Sequence, residues 1–214
     1  MTAFESRLPV TLIGGGTVSQ DDLDVARGFA PVIAAADGGA DHALASGLLP
    51  EAVFGDFDSL SDHALATIPR DRLHHIPEQD STDFEKCLSR IDAPFVLAVG
   101  FGGTRYDHFL AALNVLVRRV GPPCILIAGD DVIVPAPPSI ALDLAAGTRL
   151  SLFPMGPARG RSRGLKWPID GLDFAPDGRI GTSNEVLGRV ELELDGQILL
   201  ILPRSCLGDL IASF

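Results

Sequence analysis

Two carboxylates occupy alternate positions in Asp56-Phe57-Asp58, directly after the apolar run 52–54 and Gly55. In an extended segment alternate side chains face the same way, so both could reach one hard cation while Gly55 lets the backbone come close. Mg2+ characteristically takes one or two protein carboxylates and completes its shell with water and phosphate oxygens. A D-x-D tripeptide also arises by chance, so its company decides its meaning. Asp37 and Asp107 likewise follow strand-like runs, and Asp83 follows the weaker run 73–76 by a short loop. Any one of these reads most simply as a turn or helix-cap residue. Together, Asp37, Asp56, Asp58, Asp83 and Asp107 would repel one another on a shared rim unless a cation or cationic ligand sat among them.

Lys86 lies three positions after Asp83, on a neighbouring helix face. A surface pair of that kind contributes only a few tenths of a kcal/mol, roughly. Yet the chain has only 2 lysines against 15 arginines, and a flexible ammonium suits a moving phosphate as a point charge. Gly100-Phe101-Gly102-Gly103-Thr104-Arg105-Tyr106-Asp107-His108 reads as a glycine-rich strand-to-helix turn that offers backbone N–H groups to an anion. Arg105 adds a fork for phosphate oxygens. The segment is neither a Walker A loop nor a clean G-x-G-x-x-G. Gly14-Gly15-Gly16 is a second close-approach loop or a plain turn. Further on, Arg159, Arg161, Arg163 and Lys166 read as a solvated basic stretch, and Gly181-Thr182-Ser183-Asn184 as a polar turn. Trp167, the only tryptophan, is either a core residue or a stacking surface for a cationic aromatic ring.

The elements that must position these residues alternate. Strand-like runs at 10–13, 31–36, 52–54, 95–99 and 125–128 are separated by amphipathic stretches, with Ser19 placed to cap one helix. Thr82-Asp83-Phe84-Glu85 has the form of a capping box opening another. Apolar strands followed by helices predict a doubly wound, mostly parallel sheet with helices on both faces, over residues 1–134. In such a sheet ligands bind beyond the carboxyl ends of the strands, where the aspartates fall. Past Pro135-Ala136-Pro137-Pro138 the pattern changes to alternating runs at 149–153, 190–194 and 198–202. This predicts a second, all-β sandwich domain over 140–214, with Asp195-Gly196 turning a hairpin.

Charge follows the same division. The net charge of −11 makes the chain a poor binder of nucleic acid or anionic membrane. Residues 1–139 carry 19 acidic and 9 basic groups, and residues 140–214 carry 9 and 8. No apolar run approaches a transmembrane span, and the N-terminus has no basic-then-apolar leader pattern. Cys87, Cys124 and Cys206 are far apart in apolar contexts and read as buried thiols of a reducing compartment, so a cytoplasmic location is expected.

Taken in order, several segments resemble the thiamine pyrophosphokinase (thiamine diphosphokinase) family. They are Ala36-Asp37-Gly38-Gly39-Ala40, Gly55-Asp56-Phe57-Asp58-Ser59, residues 79–86 (QDSTDFEK), residues 103–108 (GTRYDH), Gly164-Leu165-Lys166-Trp167-Pro168 and Gly181-Thr182-Ser183-Asn184. The resemblance implies an N-terminal α/β domain that binds ATP, a C-terminal β-sandwich that binds thiamine and dimerises, and a homodimer with its sites at the subunit interface. It implies Mg2+-dependent transfer of a pyrophosphoryl group from ATP to the thiamine hydroxyl, giving thiamine diphosphate and AMP. On that basis Asp56, Asp58 and Asp83 are the expected metal ligands. Asp37, Lys86, Gly103, Arg105 and Asp107 form the expected ATP and catalytic shell, and Gln79, Asp83, Ser183 and Asn184 the thiamine side. Asp37 and Asp83 are both candidates to accept the hydroxyl proton. Thr104 departs from the family pattern, where a second glycine often precedes the arginine. The last strand carries leucine and isoleucine where some members have an aromatic residue near thiamine. The alternatives are a diphosphokinase for another hydroxymethyl heterocycle such as a pterin, a phosphohydrolase using Asp56 as nucleophile, or a non-catalytic nucleotide or thiamine sensor.

Overall fold

Buried apolar runs of four or five residues, punctuated by glycine and aspartate, become strands in the first part of the chain. The computed structural model describes residues 3–103 and 105–213, so Thr104 lies outside the described residues. The chain divides into two compact units, Met1–Gly129 and Asp130–Phe214.

The first unit runs β1 (Phe4–Glu5), β2 (Val10–Ile13), α1 (Gln20–Phe29), β3 (Val32–Ala36), α2 (Gly39–Ala45), β4 (Ala52–Gly55), α3 (Asp62–Thr67), β5 (Leu73–His75), α4 (Asp83–Leu88), β6 (Ile91–Asp92), β7 (Val96–Val99), α5 (Tyr106–Val117) and β8 (Cys124–Ala128). β2, β4 and β7 are buried at every residue, as strands of a sheet with both faces covered must be. The order is β8-β7-β2-β3-β4-β5, and each neighbouring pair is parallel. The chain therefore steps outward from β2 through β3, β4 and β5, then returns to the other side of β2 with β7 and β8. Order reverses between β2 and β7. At such a reversal the connections leave in opposite directions and open a crevice at the carboxyl ends. β1 and β6 form a separate two-stranded parallel pair.

Caps fix where the helices begin. Ser19 and Asp22 make a reciprocal capping box at α1. At α4 the Thr82 hydroxyl accepts the Glu85 N–H at 3.3 Å. Glu85, expected to complete that box, instead accepts from the Arg118 guanidinium at 2.6 and 2.8 Å, because a bidentate charged partner outbids a neutral backbone N–H.

The second unit is strand-rich: β9 (Asp131–Pro135), β10 (Ser139–Leu142), β11 (Arg149–Leu165) and β12 (Gly181–Pro203), closed by a short helix α6 (Leu207–Ile211). β12 pairs antiparallel with β9, Leu199 opposite Pro135, and with β10, Ser139 opposite Glu193. Because β9 is tied to β12, the division falls between Gly129 and Asp130, ahead of the expected end of the first domain at 134. The expected hairpin at Asp195-Gly196 is not formed. β12 runs straight through it, with Arg159 opposite Asp195 and Ala158 opposite Gly196. A side chain at Gly196 would meet the Pro157 carbonyl at 2.3 Å, so this glycine serves close strand approach, not chain reversal.

Leu97, at the middle of β7, is fully buried. Leu97→Ala should cost about 2–5 kcal/mol in urea unfolding, with an unchanged denaturant slope.

Candidate functional site

Backbone proximity builds the floor of the crevice. The Gly14-Gly15-Gly16 loop after β2 and the loop after β7 touch without intervening side chains. The Gly14 N–H donates to the Val99 carbonyl and the Gly16 N–H to the Gly100 carbonyl, both at 2.8 Å. A Cβ at Gly16 would lie 2.5 Å from the Gly102 carbonyl, and one at Gly39 would lie 2.1 Å from the Ile13 carbonyl. These glycines let the chain after β2 lie between the start of α2 and the loop after β7. Gly103 adjoins Thr17, with a Cβ there 3.3 Å from the Thr17 hydroxyl.

Beside this floor, the ends of β3 and β4 present their acids. Ligand oxygens of Asp37, Asp56 and Asp58 all lie within 4.8 Å of one another. The segment bearing the last two is not extended, as the alternation argument expected. Phe57 has φ +66, and the Asp58 N–H turns back to Asp56 Oδ1 at 3.3 Å. Gln79 Nε2 donates to the other Asp56 oxygen at 2.7 Å, and the Ser59 hydroxyl donates to Asp58 Oδ1 at 2.9 Å. The Gln79 bond, ahead of the Asp58 N–H, holds Asp56 below the usual carboxylate range. Asp37 goes the other way. It is 4% exposed, and burial, followed by the charge of Asp83 and the contact with Asp58, pushes its carboxyl up to about 7.

Asp83 stands near enough to act on Asp37, but it is outside the group with ligand spacing, where Asp37 takes the place expected of it. Lys86 explains the difference. Its side chain is buried, and Nζ donates to Asp83 Oδ1 at 3.1 Å, turning that carboxylate into the lysine's partner. Arg105 and Asp107 pair with each other at 2.7 Å on the exposed start of α5, which lowers the Asp107 carboxyl to about 2. The set is thus graded: three converging acids, an acid–lysine pair beside them, and an arginine–acid pair at the loop end.

Two contributors escaped the sequence reading. Asp41, four residues after Asp37 on α2, accepts the Ser61 N–H at 3.1 Å and the Ser61 hydroxyl, tying α2 to the segment after Asp58. Glu78 accepts from the Asp80 and Ser81 N–H groups at 3.0 and 3.2 Å and shapes the loop that carries Gln79. The only signal for Asp41 was its helical spacing from Asp37.

Ser183 and Asn184 belong to β12 in the second unit. Ser183 has φ +60, and its N–H donates to the Ser151 hydroxyl at 2.9 Å. The Asn184 amide is committed to the backbone. Its Oδ1 accepts the Trp167 N–H at 3.1 Å and the Glu185 N–H at 2.9 Å, while Nδ2 donates to the Trp167 carbonyl at 2.7 Å. Trp167 itself is half exposed, with Lys166 Nζ 4.9 Å from its ring centroid.

The converging acids fit a hard divalent cation. Asp37 Oδ1 is buried and has no hydrogen-bond donor among the described residues, an arrangement that costs free energy unless a positive partner faces it. All the donors are carboxylate oxygens, the chemistry Mg2+ prefers. The sign of the pH effect follows. A folded-state pKa near 7 against 3.8 means that cation-free protein loses stability as pH rises from about 4 to about 7, and the full cost stands above that. Asp37→Asn should therefore melt above the wild type at pH 8 without divalent cation. That gain should vanish near pH 4, as followed by calorimetry across pH.

Comparison with known proteins agrees with this geometry. Residues 28–126 match the thiamin pyrophosphokinase catalytic domain, and residues 139–199 match the thiamin pyrophosphokinase vitamin B1 binding domain. Thiamine pyrophosphokinase 2 of Arabidopsis thaliana is 30% identical over 173 residues, covering 70% of this chain and 64% of that protein. Thiamine pyrophosphokinase 1 of Oryza sativa subsp. japonica is 28% identical over 156 residues, covering 64% and 59%. The aligned part of the chain thus spans about three-fifths of the length of these curated relatives. In fold, the yeast thiamin pyrophosphokinase superposes with a TM-score of 0.77 at 18% identity, over 97% of this chain and 89% of that one. The Candida albicans enzyme superposes at 0.76 and 17% identity, over 92% and 89%. With both domain families matched in order over most of its length, the chain belongs to the thiamin pyrophosphokinase family.

Proposed function

We propose that this protein is a thiamine diphosphokinase, moving the pyrophosphoryl group of ATP to the thiamine hydroxyl with Mg2+ as cofactor. The observation that carries the reading is the buried, donor-free Asp37 oxygen within a three-carboxylate group, beside glycine loops at the sheet's reversal point. Asp37, Asp56 and Asp58 would hold Mg2+, which when bound neutralises polyphosphate charge. The first unit is then the ATP-binding catalytic domain, with Gly103, Arg105 and Lys86 answering the phosphates. The second is the thiamine-binding and dimerisation domain.

In this reaction the hydroxyl oxygen of thiamine bonds to the β-phosphorus. The bond from that phosphorus to the bridging α–β oxygen breaks, and AMP leaves with the oxygen. Asp83 is the carboxylate left to take the hydroxyl proton, since Lys86 holds it in place 3.1 Å away and it is not part of the converging trio. Positioning and charge neutralisation do most of such work, so a weakly basic carboxylate suffices. In the first unit Gln79 fixes Asp56; in the second, Ser183 is a candidate thiamine contact and Asn184 holds the Trp167 backbone. A homodimer with its sites at the interface goes with this reading, and exposed Tyr106 and Leu110, one helical turn apart on α5, are apolar surface that it could cover. Three free, buried cysteines suit the reducing cytoplasm. Among the described residues no helix is long and apolar enough to cross a membrane.

Incubation with ATP, Mg2+ and thiamine should yield AMP and thiamine diphosphate in equal amounts. AMP no higher than in a thiamine-free control overturns the reading. Inorganic phosphate alone would mean a phosphohydrolase, turnover of a hydroxymethyl pterin a different substrate, and binding without turnover a sensor. Asp56→Asn should abolish turnover with an unchanged circular dichroism spectrum, while Asp83→Asn should lower kcat by about 100-fold, a general-base-sized loss, and leave Mg2+ affinity intact. Emission from Trp167, the only tryptophan, should be quenched by thiamine if the second unit binds it.

A further inference from the structure

Phe57 adopts a backbone conformation that its side chain disfavours. Its φ of +66 lies in the left-handed region, where a bulky residue is strained and glycine or asparagine is usual. Asp37, which converges with its two neighbours, is also left-handed at φ +43. Strain of this kind persists only where the surroundings overdetermine it. At Phe57 the surroundings are identifiable. Its half-buried ring packs on the cluster of Ala35, Ala40, Val53, Leu60, Ala64 and Ile68 between β3, β4, α2 and α3. On another side the ring meets His75 of β5, with centroids 5.4 Å apart and planes at 45°. That strand neighbours β4, and His75 is in register with Gly55.

The anchored ring has a consequence for the carboxylates on either side of it. With Phe57 left-handed, the chain folds back, the Asp58 N–H reaches Asp56 Oδ1 at 3.3 Å, and both acids meet Asp37 within 4.8 Å. An extended Phe57 would pull Asp58 away from its neighbour and break that bond. The strained residue and the converging acids are therefore two sides of one turn.

We propose that Phe57 is a positioning residue: its ring, held by the Leu60–Ile68 cluster and by His75, locks the left-handed turn that brings Asp56 and Asp58 to Asp37, and so sets the divalent-cation affinity of the site. This rests on the Mg2+ reading of that site given above. Substrate never needs to touch the ring. The same turn with glycine would be relaxed but unanchored, so relief of strain and loss of anchoring make opposite predictions. If strain alone mattered, glycine would improve the site; if the anchor sets the geometry, glycine weakens it.

The test is direct Mn2+ binding, read from the free-ion electron paramagnetic resonance signal, alongside Mg2+ titrations of AMP formation. Phe57→Ala and Phe57→Gly should each weaken Mn2+ binding about tenfold or more and raise half-saturating Mg2+ to match, while Phe57→Leu, which keeps a branched apolar anchor, stays within about threefold. Leu97→Ala removes volume from the core at β7, outside the cluster that holds the ring. It should lower the melting temperature with Mn2+ affinity unchanged, which separates general loosening of the core from loss of the turn. Mn2+ affinity within twofold of the wild type in Phe57→Ala or Phe57→Gly overturns the proposal, as does an equal loss in Leu97→Ala. Should Phe57→Ala fail to fold, Phe57→Gly and Phe57→Leu carry the comparison. Wild-type protein that binds no Mn2+ at all would defeat the metal reading itself, a result distinct from wild-type binding that the variants share.

Discussion

Converging like charges organise the first unit. Three carboxylates with oxygens inside 4.8 Å repel each other, and the buried Asp37 loses its hydration as well. Cation-free protein meets this by holding a proton on Asp37 up to about pH 7. Everything around the cluster keeps it from relaxing apart. β3 and β4 are adjacent and parallel, so their carboxyl ends deliver Asp37 and Asp56 to the same place. Gly55 has no side chain to push them apart; a Cβ there would lie 3.0 Å from that of Asp37. Asp41 and Ser61 fasten the outgoing chain. An energy cost maintained at this many points is better understood as preparation for a positive partner than as tolerated strain.

The glycine loops impose a second constraint of a different kind. Strand order reverses between β2 and β7, and the loops leaving those strands must share the mouth of the crevice. They do so by backbone contact, with Gly14 and Gly16 bonded to the β7 end and its loop. Side chains at Gly14 and Gly16 would collide with the Gly100 and Gly102 carbonyls. The acids therefore make one flank of the crevice cation-preferring, and the close-packed glycine backbone forms the other flank.

Much of this was legible in the residues. The alternation of apolar runs and helices identified the parallel sheet, because strands buried on both faces leave little ambiguity in runs such as 96–99. The aspartates of the rim could be located because the carboxyl-end rule ties them to strand ends. What could not be read was how neighbours would share their bonding capacity. Asp83 and Lys86 could be read as a pair three residues apart, but not as one in which the lysine is buried. Asn184 looked like a ligand contact, yet its amide closes on the Trp167 backbone across a strand pair. Asp195-Gly196 has turn chemistry, but β11 passes close enough to need that glycine for packing. Each of these residues has more than one use open to it in the sequence, and the partner it meets in the fold decides which contacts it makes.

The choice of aspartate over glutamate in the cluster follows from the same geometry. The chain has 21 aspartates to 7 glutamates, and much of that excess need have no structural reason. At Asp56 it does. The Asp58 N–H sits two residues on, the reach of an aspartate side chain in an Asx-type turn and not of the longer glutamate. At Asp37 the close fit belongs to its neighbour: the carboxyl carbon lies 3.3 Å from where a Cβ on Gly55 would stand. Short acids let backbone turns, not flexible side-chain arms, determine where the oxygens lie. A cluster built this way loses less conformational entropy when a cation binds, and its affinity is then governed by the turns themselves.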